Sequence, residues 1–158
     1  MTDTIIRDII NPALALLPPQ MTSDESRAML VAIGLQESAL KYRTQHAGGP
    51  ARGLWQFERI GVQGVLRHPA TRGFAADLCW RCGVAATTAA VYHRIETDDI
   101  LAAGIARLAL WPFPYPLPKR GDSADGWFQY LNVWRPGKPH KDKWEDNFHR
   151  AWEIVSEG

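Results

Sequence analysis

Between Thr22 and Leu40 the chain spells out one helix almost completely, and that helix limits what can fold around it. Thr22-Ser23-Asp24-Glu25 has the form of a capping box, with a hydroxyl at the N-cap and a carboxylate three residues on, which satisfies backbone N–H groups that a helix start leaves unpaired. The predicted helix runs from about residue 23 to 40. Leu30, Ile33, Glu37 and Leu40 then follow at intervals of three, four and three residues, so they share a face. Glu37 is the ionisable member of a row that otherwise points to a core.

The rest of the chain repeats helical spacing, punctuated by proline and glycine. Ile5, Ile6, Ile9, Ile10, Ala13, Leu14 and Leu17 predict a first amphipathic element over residues 3–17, with Pro12 as a kink or restart and Pro18-Pro19 as its end. Residues 41–52 read as a loop broken by Gly48-Gly49-Pro50, and Gly53 to Phe57 as a turn or short extended piece. Helices are expected over about 58–67, 71–82 and 84–95. Thr97 is expected to cap a further helix with Asp98 and Asp99 in its first turn, where the helix dipole favours negative charge. Pro112, Pro114, Pro116 and Pro118 form an extended strap that binds a partner or lines or covers a groove. After it, Ser123 and Asp125 open a helix carrying Trp127, Tyr130, Leu131 and Trp134, which Arg135-Pro136-Gly137 stops. A last helix over about 141–155 aligns Trp144, Phe148, Trp152 and Val155. No alternating strand pattern or internal repeat interrupts this series, so residues 1–158 read as one mainly α domain with at most a small β element.

Composition narrows the function classes. With 46% hydrophobic residues in 158, the chain can fill a single core. A formal net charge of +1 gives no argument for a nucleic-acid partner, and the excess of lysine and arginine between residues 115 and 143 reads as a solvated face. The apolar stretch from Ile9 to Leu17 is flanked or broken by Asp3, Asp8 and Pro12, and no basic leader or cleavage site accompanies it. The expectation is therefore no signal peptide and no membrane insertion, with synthesis in a cytoplasm. The seven tryptophans mainly supply core, while any exposed indole offers a stacking surface for a flat or sugar-like ligand. Cys79-Trp80-Arg81-Cys82 is a CxxC within a helical pattern, without a second Cys or His pair at zinc spacing, so neither a metal nor another cofactor is expected.

A carboxyl on an apolar helical face loses hydration on folding, which raises its pKa and suits it to general-acid work near neutral pH. The alternative is a helix-end carboxylate neutralised by Lys41, Arg43 or Arg52. Gln36-Glu37-Ser38 at a helix end, a loop, and then Gly49-Pro50-Ala51-Arg52-Gly53-Leu54-Trp55-Gln56-Phe57 resembles the signature of soluble lytic transglycosylases and goose-type members of the lysozyme superfamily. Glu37 matches the catalytic acid of that family, Ser38 the serine after it, and Gly53 to Gln56 its Gly-Leu-Met-Gln block. The match covers about 25 residues, and the rest only as a compatible helical pattern.

The resemblance implies a lysozyme-like fold and peptidoglycan glycan strands as the partner. In that family the acid protonates the glycosidic oxygen between N-acetylmuramic acid and N-acetylglucosamine. As a carboxylate it then removes the muramoyl 6-hydroxyl proton, so that a 1,6-anhydro ring closes. No second carboxylate is required, unlike the paired-carboxylate scheme; Asp77, Asp98 and Asp99 are the candidates for one, the last two better read as charges at a helix N-terminus. Ser38, Trp55, Gln56 and Phe57 are the implied substrate-contacting residues near the acid.

Two departures stand out. Gln45, His46 and Ala47 occupy the neighbourhood where the family usually places a serine, and Ala106-Arg107-Leu108-Ala109-Leu110-Trp111-Pro112 follows where the family carries Ala-Tyr-Asn-x-Gly. Tyr130 is the expected replacement for that tyrosine, with Trp134 beside it and Tyr92 as second choice. Their Trp-x-x-Tyr-x-x-x-Trp-Arg-Pro-Gly block resembles small lysozyme-like proteins of tailed phages. That setting implies action on the wall after release from the host cytoplasm, or carriage in the virion among other virion proteins. Two alternatives stay open: a non-catalytic virion structural protein with the same fold, and a muramidase that hydrolyses the same bond with water.

Overall fold

A computed structural model describes residues 2–158, apart from the side chain of Asp3. Among them the regular elements are all helical: α1 Asn11–Ala15, α2 Asp24–Ser38, α3 Arg59–Arg67, α4 Arg72–Arg81, α5 Thr88–Arg94, α6 Asp99–Leu110, α7 Ser123–Trp134 and α8 Lys141–Glu157. The small β element reduces to isolated bridges, from Arg52 to Thr44 and from Arg52 to Phe57. No described helix is long and apolar enough to cross a membrane.

The chain is built around α2. Ala28 to Gly34 are buried without a break, so this helix is surrounded through two turns rather than buried along one stripe. Its most extensive neighbour is α8, which contributes Phe148, Ala151 and Trp152, with α6 and the N-terminal segment on other sides. α4 and α5 each pack on α3, and α3 and α4 also rest on α6. Arg107 of α6, itself buried, donates from Nε to the Met21 carbonyl at 2.8 Å and lies over the Trp111 ring, which ties α6 to the turn before α2.

Several predicted boundaries move for local reasons. The capping box is shifted by one residue: Ser23 is the N-cap and Ser26 closes the box, because two serine hydroxyls satisfy the reciprocal bonds that Glu25 was expected to share. Asp98, not Thr97, caps α6 by accepting the Leu101 N–H at 3.0 Å. Asp122 likewise caps α7 by accepting from Asp125 at 3.0 Å. The first element divides into a 3-10 turn over Thr2–Thr4, a π-helical turn over Ile6–Ile10 and then α1, where Pro12 fits the opening turn. α5 begins at Thr88, four residues later than predicted. The proline strap runs beside α7, where the Gln129 side chain donates to the Pro116 carbonyl at 2.7 Å.

Candidate active site

α2 ends abruptly at the acid. Ala39 and Leu40 both take left-handed backbone conformations, with φ of 57° and 52°, and the buried Leu40 folds back over the helix end. Gly34 makes this possible, since a Cβ there would lie 2.3 Å from Leu40 Cδ2. Glu37 thus sits in the last turn of α2, at the negative end of the helix dipole, which disfavours a further negative charge.

The next residue locks a turn beside it. Ser38 Oγ donates to the Leu54 carbonyl at 2.6 Å and to the Gly34 carbonyl at 3.2 Å. Residues 53–56 form a tight turn closed by reciprocal bonds of 2.9 Å between Arg52 and Phe57. Gly53 has φ of +81°, and a Cβ there would meet the Ile95 carbonyl oxygen at 2.7 Å, so only glycine fits. Gln56 also has positive φ, and its side-chain amide donates back to the Gly53 carbonyl at 2.9 Å.

α7 approaches from the other side. The Tyr130 hydroxyl donates a short hydrogen bond to Glu37 Oε2. The Tyr130 ring is held by stacking on Trp144 at 5.1 Å and 12° and by a tilted contact with Trp127 at 5.6 Å. One turn on, Trp134 Nε1 donates to the Trp55 carbonyl at 2.9 Å, and its ring meets Phe57 at 5.4 Å. Three elements distant in sequence therefore converge on one carboxyl: the end of α2, the turn 53–57 and the middle of α7.

Burial pushes Glu37 up to about 7, and the hydrogen bond from Tyr130 opposes that rise without overcoming it. Tyr130 is itself pushed above its ordinary range by burial and by the facing carboxylate, so it stays a proton donor. The cations that could have neutralised Glu37 are engaged elsewhere. Arg43 pairs with Asp99 at 2.6 Å and Arg52 with Glu96 at 3.1 Å, while Lys41 is exposed over the Tyr42 ring. No ion pair involves Glu37 among the described residues. The three aspartates considered as second acids have partners of their own: Asp77 pairs with Arg81, Asp98 caps α6 and Asp99 holds Arg43.

The expected substrate-contacting residues divide. Gln56 and Trp134 are partly exposed, on the 53–57 turn and on α7 one turn beyond Tyr130, and Phe57 is nearly buried against Trp134. Trp55 and Ser38 are corrected to positioning residues: the Trp55 indole is fully buried with its N–H on the Leu30 carbonyl, and both Ser38 bonds go to backbone. Only the hydroxyl of the buried Tyr130 engages the acid. Tyr92 instead donates to the Pro50 carbonyl under Arg59. A further pair had no signal in the sequence. Gln36 donates to the His140 carbonyl at 2.9 Å and accepts from Asn147 at 2.8 Å, which fixes the residue before the acid to α8.

Cys79 and Cys82 are free thiols, and burial pushes Cys79 up to about 11, which makes it a poor nucleophile. Two surface hollows, one of about 380 Å³ against Phe74 and Asp77 and one of about 490 Å³ against Tyr115 and Phe128, lie elsewhere, and Glu37 lines neither. No protein-family model matches the chain, and no curated protein and no solved structure is detectably similar to it.

Proposed function

We propose that the chain is a peptidoglycan-cleaving lytic transglycosylase in which Glu37 is both acid and base. The observation that carries this reading is a single carboxyl, poised near neutral pH, held by one phenol and in no ion pair among the described residues. Near pH 7 such a group is present in both protonation states, which a residue that must first give and then take a proton requires.

With Oε2 accepting from Tyr130, the acid proton resides on Oε1. That proton goes to the glycosidic oxygen as the bond to the muramoyl anomeric carbon breaks, and the N-acetylglucosamine end leaves as an alcohol. The resulting carboxylate takes the proton of the muramoyl 6-hydroxyl, whose oxygen closes on the anomeric carbon. Water is neither consumed nor released, and Glu37 ends protonated as it began. Tyr130 keeps the carboxyl from rotating through both steps, and Trp134 and Gln56 offer the adjacent surface to the glycan.

The setting that fits is a phage: a wall-cleaving enzyme released from the host cytoplasm or carried in the virion. Finding the chain in purified virions supports carriage, and its absence there supports release. Digestion of purified peptidoglycan by the wild type and by Glu37→Gln tests the chemistry. Fragments ending in anhydromuramic acid, lost in the variant, are expected. Reducing ends in their place would make the chain a muramidase, no release by either protein would leave a non-catalytic structural protein, and equal release by both would refute Glu37 as the catalyst.

A further inference from the structure

The strap and α7 build a second concave surface. Phe128 and Tyr130 are two residues apart on one helix, so they point about 200° apart around its axis, and Phe128 faces away from the acid. On that far side Tyr115 and Phe128 remain 60% and 49% exposed, with ring centroids 6.4 Å apart at 61°. Phe113 braces both rings at 5.6 and 5.9 Å, so the exposed faces are fixed in direction. Between them lies the hollow of about 490 Å³, floored by Pro116 and Leu117 and rimmed by Lys119, Asp122 and Asp125.

The floor is held at a cost. Gln129 is fully buried, and its amide N–H₂ donates both to the Pro116 carbonyl at 2.7 Å and to Asp125 Oδ2 at 3.3 Å, while its Oε1 has no partner. A buried acceptor left unpaired destabilises a fold, and natural chains keep few of them. Here the amide fixes the strap and a rim carboxylate in one arrangement, which is pre-organisation of the hollow.

We propose that this hollow is a second saccharide-binding site, which holds a glycan strand on the opposite side of α7 from Glu37; it rests on the glycan-cleaving reading for the identity of its ligand. Aromatic ring faces carry partial negative charge and attract the polarised C–H groups of a pyranose face. Asp122 and Asp125 each use one oxygen internally, on the Asp125 N–H and the Gln129 amide, and each leaves the other oxygen to accept from sugar hydroxyls. Lys119 supplies a donor. Two carboxylates against one ammonium make the rim net negative, which disfavours phosphates and acidic polymers. A peptide presents one backbone donor per residue, whereas a pyranose presents adjacent hydroxyls that match paired carboxylates.

The test uses the full chain with Glu37→Gln, so that no glycan is consumed, and compares it with the same chain carrying Tyr115→Ala and Phe128→Ala. Calorimetric titration with the tetramer of N-acetylglucosamine should show the loss of one bound tetramer per chain, and co-sedimentation with purified sacculi should weaken by about tenfold, the scale of one stacked aromatic. Tyr115→Ala alone should give a smaller loss in the same direction and guards against misfolding of the double variant. Unchanged stoichiometry and unchanged sacculus binding overturn the site, as does occupation of the hollow by a proline-rich peptide with no effect on glycan. The two readings fail separately: digestion by the wild type tests the acid, whereas loss of tetramer binding in the Glu37→Gln background does not depend on cleavage.

Discussion

Glu37→Gln should make the folded chain more stable at alkaline pH and leave it unchanged in acid. The carboxyl stands at about 7 in the folded chain against an ordinary value of 4.5, because burial penalises its charged form. Between those two values the folded state binds more protons than the unfolded one, so stability falls as pH rises through that window and is flat outside it. The gap corresponds to about 3 kcal/mol at about 1.4 kcal/mol per pH unit, a ceiling because Glu37 is only partly buried. Glutamine keeps the shape, and its amide oxygen still accepts from Tyr130, but it carries no charge to desolvate. Guanidinium denaturation of both proteins at about pH 4, 6 and 8 gives the comparison, with equal m-values as the check that both unfold in the same way. The expected result is an advantage for the variant of up to about 3 kcal/mol at pH 8 that vanishes near pH 4. A variant that is less stable at pH 8, or an advantage equal at both ends, would refute the claim that this carboxyl is held against its own ionisation.

Cleavage of peptidoglycan should decline above about pH 7 with the slope of a single proton, since the acid must start protonated. Tyr130→Phe removes the hydrogen bond that opposes burial, so that decline should move upward by about one pH unit while turnover falls, as measured by a pH–rate profile. Ser38→Ala leaves the Leu54 carbonyl without its donor and should lower stability by about 1–3 kcal/mol and loosen the 53–57 turn, visible as faster amide exchange there. Gly53→Ala should cost more than Gly34→Ala in denaturant midpoints, because its Cβ meets the rigid Ile95 carbonyl in a left-handed conformation, whereas at Gly34 it meets the end of the Leu40 side chain.

Local patterns carried most of the helical architecture into view. Capping residues, proline positions and 3.6-residue spacing are properties of neighbouring residues, and they located α2, α6, α7 and α8 to within a few residues. The errors at caps have a common cause, since either of two adjacent polar side chains can reach the same N–H, and only the entry angle of the chain decides between Thr97 and Asp98 or between Glu25 and Ser26. The burial of the Glu37 carboxyl was legible because an acid in an apolar row contradicts its surroundings. Trp55 was misassigned because an aromatic side chain that fills a core and one that lines a groove read alike; the choice was made by Leu30, whose carbonyl takes the indole N–H from 25 positions away. Gln36, Asn147 and the arginine partners rest on still longer separations, for which a single sequence holds no periodic signal.

The electrostatics of the site explain why the polar 41–52 loop is needed so close to an acid. Arg43 and Arg52 both belong to that loop, and either guanidinium beside Glu37 would favour its carboxylate and lower its proton affinity. Each is instead paired with an acid near the start of α6, Arg43 with Asp99 and Arg52 with Glu96. Arg52 also donates to the Gly49 and Ala51 carbonyls, so its pairing shapes the loop as well as its charge. Partly exposed pairs of this kind contribute little to stability. Their consequence at Glu37 is larger, because a full positive charge placed beside it would act across a partly buried, poorly screened space. The end of α2 supplies negative potential, Tyr130 supplies one neutral donor, and the two ion pairs withhold the cations. Burial raises the carboxyl to about 7 against the opposing Tyr130 hydrogen bond, and the two ion pairs keep the loop cations from pulling it back down, so Glu37 holds its proton close to neutral pH.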